Sequence, residues 1–224
     1  AINIDGGFSK RCMAITSSHF CSAERQFRFP LEYGGQRPPS AQWTVTGSGA
    51  AVLSSKGKDK GLPYIDKMYI GAIEDLGITD AANMGAAMAP AAADTIIAHL
   101  TDLGLAPDYY DAIITGDLRL TGSGVLREIM DLHGFNLYDE KKECFKHQDC
   151  GAMIFDPIKQ KTHSGGSGCG CIASVFASYF YKQLLYGNLK RILVVGTGAL
   201  MSPISVKQSE SISGIAHAVA IEAQ

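Results

Sequence analysis

Two stretches decide how this chain folds: "GFSKRCMAITSS" at residues 7–18 and "GNLKRILVVGTG" at residues 187–198. Each runs glycine, two variable residues, Lys-Arg, an apolar run and then small residues. Each also follows a helix-like end, "AINID" stopped by Gly6-Gly7 and a long apolar helical pattern stopped by Gly187. One unit of helix, glycine, Lys-Arg and strand therefore recurs at an offset of 180 residues, Gly7 to Gly187. A register match of this length predicts duplication of a half-domain. The second copy has its whole helix, about residues 169–186, whereas the first has only a last turn. With no initiator Met, the expectation is that the first copy's helix and the loop before it lie upstream of residue 1.

Outward from these copies the chain alternates strands and helices. "TVTGSGAAVLSS" (residues 44–55) reads as one glycine-kinked strand. "AAMAPAAADTIIAHLTDLG" (86–104) reads as an alanine-rich helix with Pro90 in its first turn and Gly104 as its stop. "DAIITGD" is a short buried strand ahead of a helix in "GVLREIMDLHG"; "CGAMIFD" (150–156) reads as a strand and "GIAHAVAIE" as the last one. Such alternation predicts an α/β fold on a parallel or mixed sheet. Residues 19–40 differ, with Pro30, Pro38, Pro39 and Gly34-Gly35 and no sustained period. A loop this long is either functional, or a surface excursion or a subunit contact.

Composition excludes several classes. The 224 residues are 46% hydrophobic and 19% charged with a net charge of −2, so a sizeable core is expected and no overall field draws nucleic acid. No apolar run approaches the ~20 residues of a membrane span, and the first residues lack a signal-peptide pattern. Six cysteines without a secretion signal read as reduced thiols of a cytosolic setting.

The chemistry-bearing residues converge on "THSGGSGCGCIASVF" (162–176), which reads as a nucleophile loop, half of a metal site or a turn into a buried helix. Cys144, His147, Cys150, His163, Cys169 and Cys171 lie close in sequence, but their spacing matches no paired Cys-x-x-Cys knuckle, so no metal site is assigned. "HSGGSG" lacks the register of a phosphate loop.

The duplicated unit, "VTGSGAAVL" and a late "GG-S-G" loop before a helix together resemble the thiolase-like superfamily. Within it, "SSHFCSAERQFRFPLEYGGQRPP", "MGAAMAPAAADTI", "ILVVGTGALMSP" and "IAHAVAIE" are similar to the stage V sporulation protein AD family, over residues 1 to about 222. The resemblance implies a thiolase-like αβαβα layered fold of two pseudo-duplicated halves. Residues 1–75 would be the remainder of the first half, with the long loop 19–40, and 76–224 the second half. This chain would then lack about the first third of such a protein, including the loop that carries a thiolase-type cysteine.

The family also implies a role outside catalysis: binding dipicolinic acid (pyridine-2,6-dicarboxylate) for the SpoVA transport system that fills the developing spore. Implied with it are a homodimer, contacts with other SpoVA membrane proteins, no nucleic acid, and a peripheral place at the forespore inner membrane. No cofactor is expected; Ca²⁺ enters only as companion of the ligand. The alternative is a condensing acyltransferase using an upstream cysteine.

Condensing enzymes of the superfamily hold a His after one second-half strand and an Asn or His in the later loop, as donors to an oxyanion. By this resemblance those places fall at Gly116-Asp117 and near Ser167, neither of which supplies the same donor. The expected ligand-binding residues are His19, Arg25, Asp117, Ser167, Cys169 and His217. Each has a plainer reading. His19 caps the loop; Arg25, like Arg28, sits in a solvated loop or a dimer-face salt bridge instead of gripping a carboxylate; Asp117 is a helix N-cap. Cys169 and Cys171 are packing thiols at the start of a buried helix, and His217 is a structural residue of the last strand.

Overall fold

A computed structural model describes residues 1–21, 39–55 and 61–224 of the chain. The sequence repeat is also a structural one. A short helix, α1 (Ile2–Asp5), ends at Gly6-Gly7 and leads into strand β1 (Arg11–Ser18). Gly7 and Gly187 both take left-handed backbone, φ 75° and 72°, which favours glycine at a helix stop. The amides of Gly6, Gly7 and Ser9 donate to the carbonyls of Ile2, Ile4 and Asn3. At the same offset of 180, the amides of Tyr186, Gly187 and Leu189 donate to those of Lys182, Leu184 and Gln183. The two helix ends are one hydrogen-bonding motif written twice.

After β1 come β2 (Trp43–Thr44), β3 (Gly47–Ser54) and β4 (Tyr64–Glu74). The single kinked strand expected over 44–55 is thus two strands with different partners: β3 pairs antiparallel with β1, and β2 joins a distant loop. Helix α2 (Met84–Asp102) starts earlier than expected because Asn83 caps it, accepting from the Ala86 amide; Pro90 sits inside it rather than in its first turn. Strand β5 (Ala112–Thr115) follows as predicted, and helix α3 (Arg119–Leu132) starts five residues before the expected Gly124.

A hairpin of β6 (Tyr138–Asp139) and β7 (Cys144–Phe145) leads to β8 (His147–Asp149) and helix α4 (Cys150–Met153). The strand expected at 150–156 therefore lies one step earlier. Asp149 ends it, because its side chain caps α4 by accepting from the Ala152 amide. Strand β9 (Gly166–Ser167) precedes helix α5 (Gly170–Val175), a π-turn over Phe176–Phe180 and helix α6 (Tyr181–Leu185), which form one continuous rod. Strand β10 (Arg191–Ala199), helix α7 (Pro203–Lys207) and strand β11 (Gly214–Glu222) complete the chain.

The main sheet has the order β4-β11-β10-β5-β8, with β10, β5 and β8 parallel and β11 antiparallel to both its neighbours. Residues 64–74 belong to this sheet, on the N-terminal side of the division expected at 75/76. One face carries α2 and α3 over Leu193, Val195, Ala216, Ala218 and Ala220; the other carries the 170–185 rod over Ala112, Ile114 and Ile192. The far side of the rod packs on β1 and β3, so closely that a Cβ on Gly49 would lie 2.8 Å from the Ala173 carbonyl. Four successive layers, α–β–α–β, of the five-layer αβαβα arrangement result.

The strands of the two halves share a register: Arg11 faces Ser54 in β1–β3 as Arg191 faces Glu222 in β10–β11. Their coverings differ. Leu193, Val195 and Ala220 are at most 2% exposed under α2 and α3. Their repeat partners Met13, Ile15 and Val52 are 61–71% exposed.

Candidate functional site

The site is assembled at the C-terminal end of β5, where the chain leaves the sheet through Gly116 and Asp117. The turn is held from below by a buried carboxylate that the sequence reading missed. Asp149 accepts from the Thr115 hydroxyl (2.7 Å) and from the amides of Leu118 (2.8 Å), Arg119 (2.7 Å) and Ala152 (3.0 Å). Asp149 therefore holds the first amides of α3, and the expected N-cap role of Asp117 is corrected: the N-cap residue of α3 is Leu118, whose own side chain caps nothing. Arg119 stands there at φ 61°, a left-handed start that costs a non-glycine residue about 1–2 kcal/mol and that the Asp149 contact helps to fix.

Burial raises the Asp149 carboxyl, against the lowering effect of its hydrogen bonds. Beside it, His147 Nε2 lies 2.8 Å from the Thr115 oxygen. Since the Thr115 proton goes to Asp149, Nε2–H is the donor, which fixes the tautomer. Burial, with the nearby Arg127 charge, pushes the His147 imidazole down to about 3.

Released from capping, Asp117 faces the loop. One carboxylate oxygen accepts from the Gly168 amide (2.7 Å), the other from the Thr197 hydroxyl (3.1 Å). Asp117 thus ties the 162–170 loop to the ends of β5 and β10. The loop is also stitched to the first half. β9 runs parallel to β2, and Val45 donates to the Ser167 carbonyl. The Ser18 hydroxyl accepts from the Gly170 amide (2.9 Å) and donates to the Val45 carbonyl (2.6 Å).

Ser167 is buried, its hydroxyl 3.5 Å from that of Thr44. Cys171 is buried and its thiol is pushed up by burial, as the packing reading expected. Cys169 is not a packing thiol: it is exposed, with Sγ 2.9 Å from the Ser17 carbonyl. The apolar pattern that follows hides this difference, because Cys169 precedes the first helical residue.

Next to Cys169 opens a shallow recess of about 360 Å³ lined by Ser17, Ser18, His19, Thr46, Gly47 and Ser48. His19 is exposed in its wall. The structure thus gathers His19, Asp117, Ser167 and Cys169 around one loop. His217 stands apart in the middle of β11, exposed, its Nδ1 accepting from the Gly71 amide (3.2 Å). It faces Gly196 of β10, on the strand beyond β5. Arg25 and Arg28 lie outside the described residues. Among the described residues no group of three or more His, Cys, Asp or Glu side chains is placed to hold a metal ion.

A profile described as stage V sporulation protein AD matches residues 1–222. The chain belongs to the stage V sporulation protein AD family. It is 50% identical over 219 residues to Stage V sporulation protein AD of Bacillus subtilis (strain 168), a match covering 98% of this chain and 62% of that protein. The chain spans about three fifths of the length of this curated relative.

The chain is also similar to solved structures at low identity. They include AbyA1, a tetronic acid condensing enzyme (TM-score 0.53, 15% identity, 98% of this chain and 62% of that one). 3-oxoacyl-[acyl-carrier-protein] synthase III from Aquifex aeolicus VF5 gives 0.53, 12% identity and coverage of 98% and 60%. A variant of OleA from Xanthomonas campestris gives 0.54, 14% identity and coverage of 97% and 59%. At these identities the likeness establishes the thiolase-like fold alone. The family ties the chain to sporulation, and among the described residues no helix is long and apolar enough to cross a membrane.

Proposed function

We propose that this protein is a non-catalytic binding protein for dipicolinic acid in the SpoVA transport system, acting in uptake into the developing spore. The observation that carries this reading is the state of Asp117. At the place where the resemblance puts a condensing enzyme's histidine stands a carboxylate, and both its oxygens are engaged by Gly168 and Thr197. An ionised carboxylate repels a developing oxyanion instead of stabilising it. Ser167, at the second expected donor position, is buried against Thr44. What remains beside the loop is a recess of hydroxyls and an imidazole, groups able to hydrogen-bond a carboxylate.

In the same reading the protein works as a homodimer, docked peripherally on the forespore inner membrane by other SpoVA proteins, with Ca²⁺ arriving only with the ligand. Calorimetry of the full-length protein with dipicolinate, with and without Ca²⁺, tests the binding. Saturable heat is expected; no binding in either condition refutes it. The fold of the structural neighbours favours one second reading, a condensing acyltransferase completed by a cysteine outside residues 1–224. Turnover of acyl-CoA thioesters by the full-length protein would establish that reading in place of the first.

A further inference from the structure

Ser18, the last residue of β1, borders the recess, yet its hydroxyl is engaged within the protein on both sides. It donates to the Val45 carbonyl (2.6 Å) and accepts from the Gly170 amide (2.9 Å). A hydroxyl has one proton, and here a carbonyl takes it, so Ser18 has none to offer a carboxylate. Glycines surround the side chain. Gly47 faces Ser18 across the β1–β3 ladder. A Cβ on Gly168 would lie 2.8 Å from both the Cβ and the Oγ of Ser18, and one on Gly170 would overlap the Oγ. The approach is this close where the first half meets the second-half loop.

Gly170 opens the rod, and two residues earlier the Gly168 amide is held by Asp117 (2.7 Å). The 168–170 turn is thus gripped from the second half by Asp117 and from the first half by Ser18. With the Ser18 hydroxyl gone, the buried Gly170 amide loses its acceptor and the turn keeps one of its two side-chain ties.

We infer that Ser18 is a positioning residue of the ligand site: it sets the 168–170 turn against the first half and does not itself bind the ligand. The inference rests on the ligand-binding reading above. Ser18 then acts on affinity through preorganisation, because a turn freed from the first half has to be ordered again when the ligand binds. The same tie makes the site sensitive to Gly170, whose missing side chain is what lets Ser18 reach its partners.

Calorimetry and amide hydrogen exchange on full-length protein, with dipicolinate as the probe, decide the matter. The variants are Ser18→Ala, which removes the hydroxyl, and Gly170→Ala, which keeps it but pushes it aside. Both are expected to speed exchange in peptides spanning residues 165–175 and to lower dipicolinate affinity roughly three- to tenfold. Saturating dipicolinate should return the exchange of Ser18→Ala toward the wild-type rate. Should Ser18→Ala fail to fold, Gly170→Ala carries the same test. An affinity loss in Ser18→Ala with unchanged exchange makes Ser18 a ligand contact and overturns the inference. Unchanged affinity in either folded variant also overturns it, since the bond is then structural alone. Both outcomes leave the binding reading standing, whereas no binding by the wild type overturns that reading and the inference together.

Discussion

Asp149 carries more of the site's geometry than any residue that faces solvent. It takes four donors while 3% exposed, so Asp149→Asn presents an NH₂ group to at least one N–H that needs an acceptor. The expected cost is roughly 2–3 kcal/mol of unfolding free energy, read from urea denaturation. His147 gives a pH signature. Its folded value, about 3, lies below the ordinary 6.5, so the unfolded chain takes up the proton first as pH falls. Its stabilising contribution is whole above about pH 6.5 and is lost between there and pH 3, by up to ~1.4 kcal/mol per pH unit. Buried His99, lowered in the same direction by burial, adds a slope of the same sign. His147→Gln, which keeps a donor near Nε2 but cannot titrate, should flatten the curve in chemical unfolding from pH 7 to 4; an unchanged slope refutes the assignment. None of this was legible in "HQDCG", because an Asp before a helical turn and an Asp ending a buried strand look alike in sequence. "TGD" invited the N-cap reading of Asp117 for the same reason. Which of two carboxylates caps a helix is decided by a contact some 30 residues apart, Asp149 to Leu118.

At the scale of elements, periodicity located the strands and helices flanked by clear signals: β1, β5, β10, β11 and the central rod. β4 escaped because Tyr64–Glu74 mixes charges with apolar residues without strict alternation, and it is a strand because β11 pairs with it. The shift from a predicted strand at 150–156 to helix α4 has a different cause, a side-chain cap that outweighs β-propensity over four residues. The crossing of α2 and α3 yields a sharp prediction. A Cβ on Gly85 would lie 2.6 Å from the Leu118 carbonyl and 2.9 Å from the Gly122 amide. Gly85→Ala gains up to ~1 kcal/mol in helix propensity, but the displaced backbone costs about 1–3 kcal/mol. A net loss of thermal stability is expected, and a variant melting above the wild type would show that the two helices separate at little cost.

For the whole molecule, the duplication visible in two Lys-Arg strands organises everything else. Both copies end their helices with the same three hydrogen bonds, and their strands share a register. Their coverings differ, which makes equivalent positions unequal. Val195→Lys puts a charge into a fully buried face and is expected to abolish cooperative unfolding. Ile15→Lys, the same substitution in the first copy, should change the stability of residues 1–224 by no more than ~0.5 kcal/mol. Equal effects would mean that the β1–β3 face is covered after all.

The duplication also explains the place of the loop. Residues 162–170 come from the second half, yet they close on Ser17, Ser18 and Val45 of the first, beside a recess that the first half lines. A crystal structure of the full-length protein grown with dipicolinate tests this account most directly. It should show the diacid in the recess between Ser17–His19 and Cys169. Dipicolinate bound elsewhere, or a recess empty at saturating ligand, would contradict it.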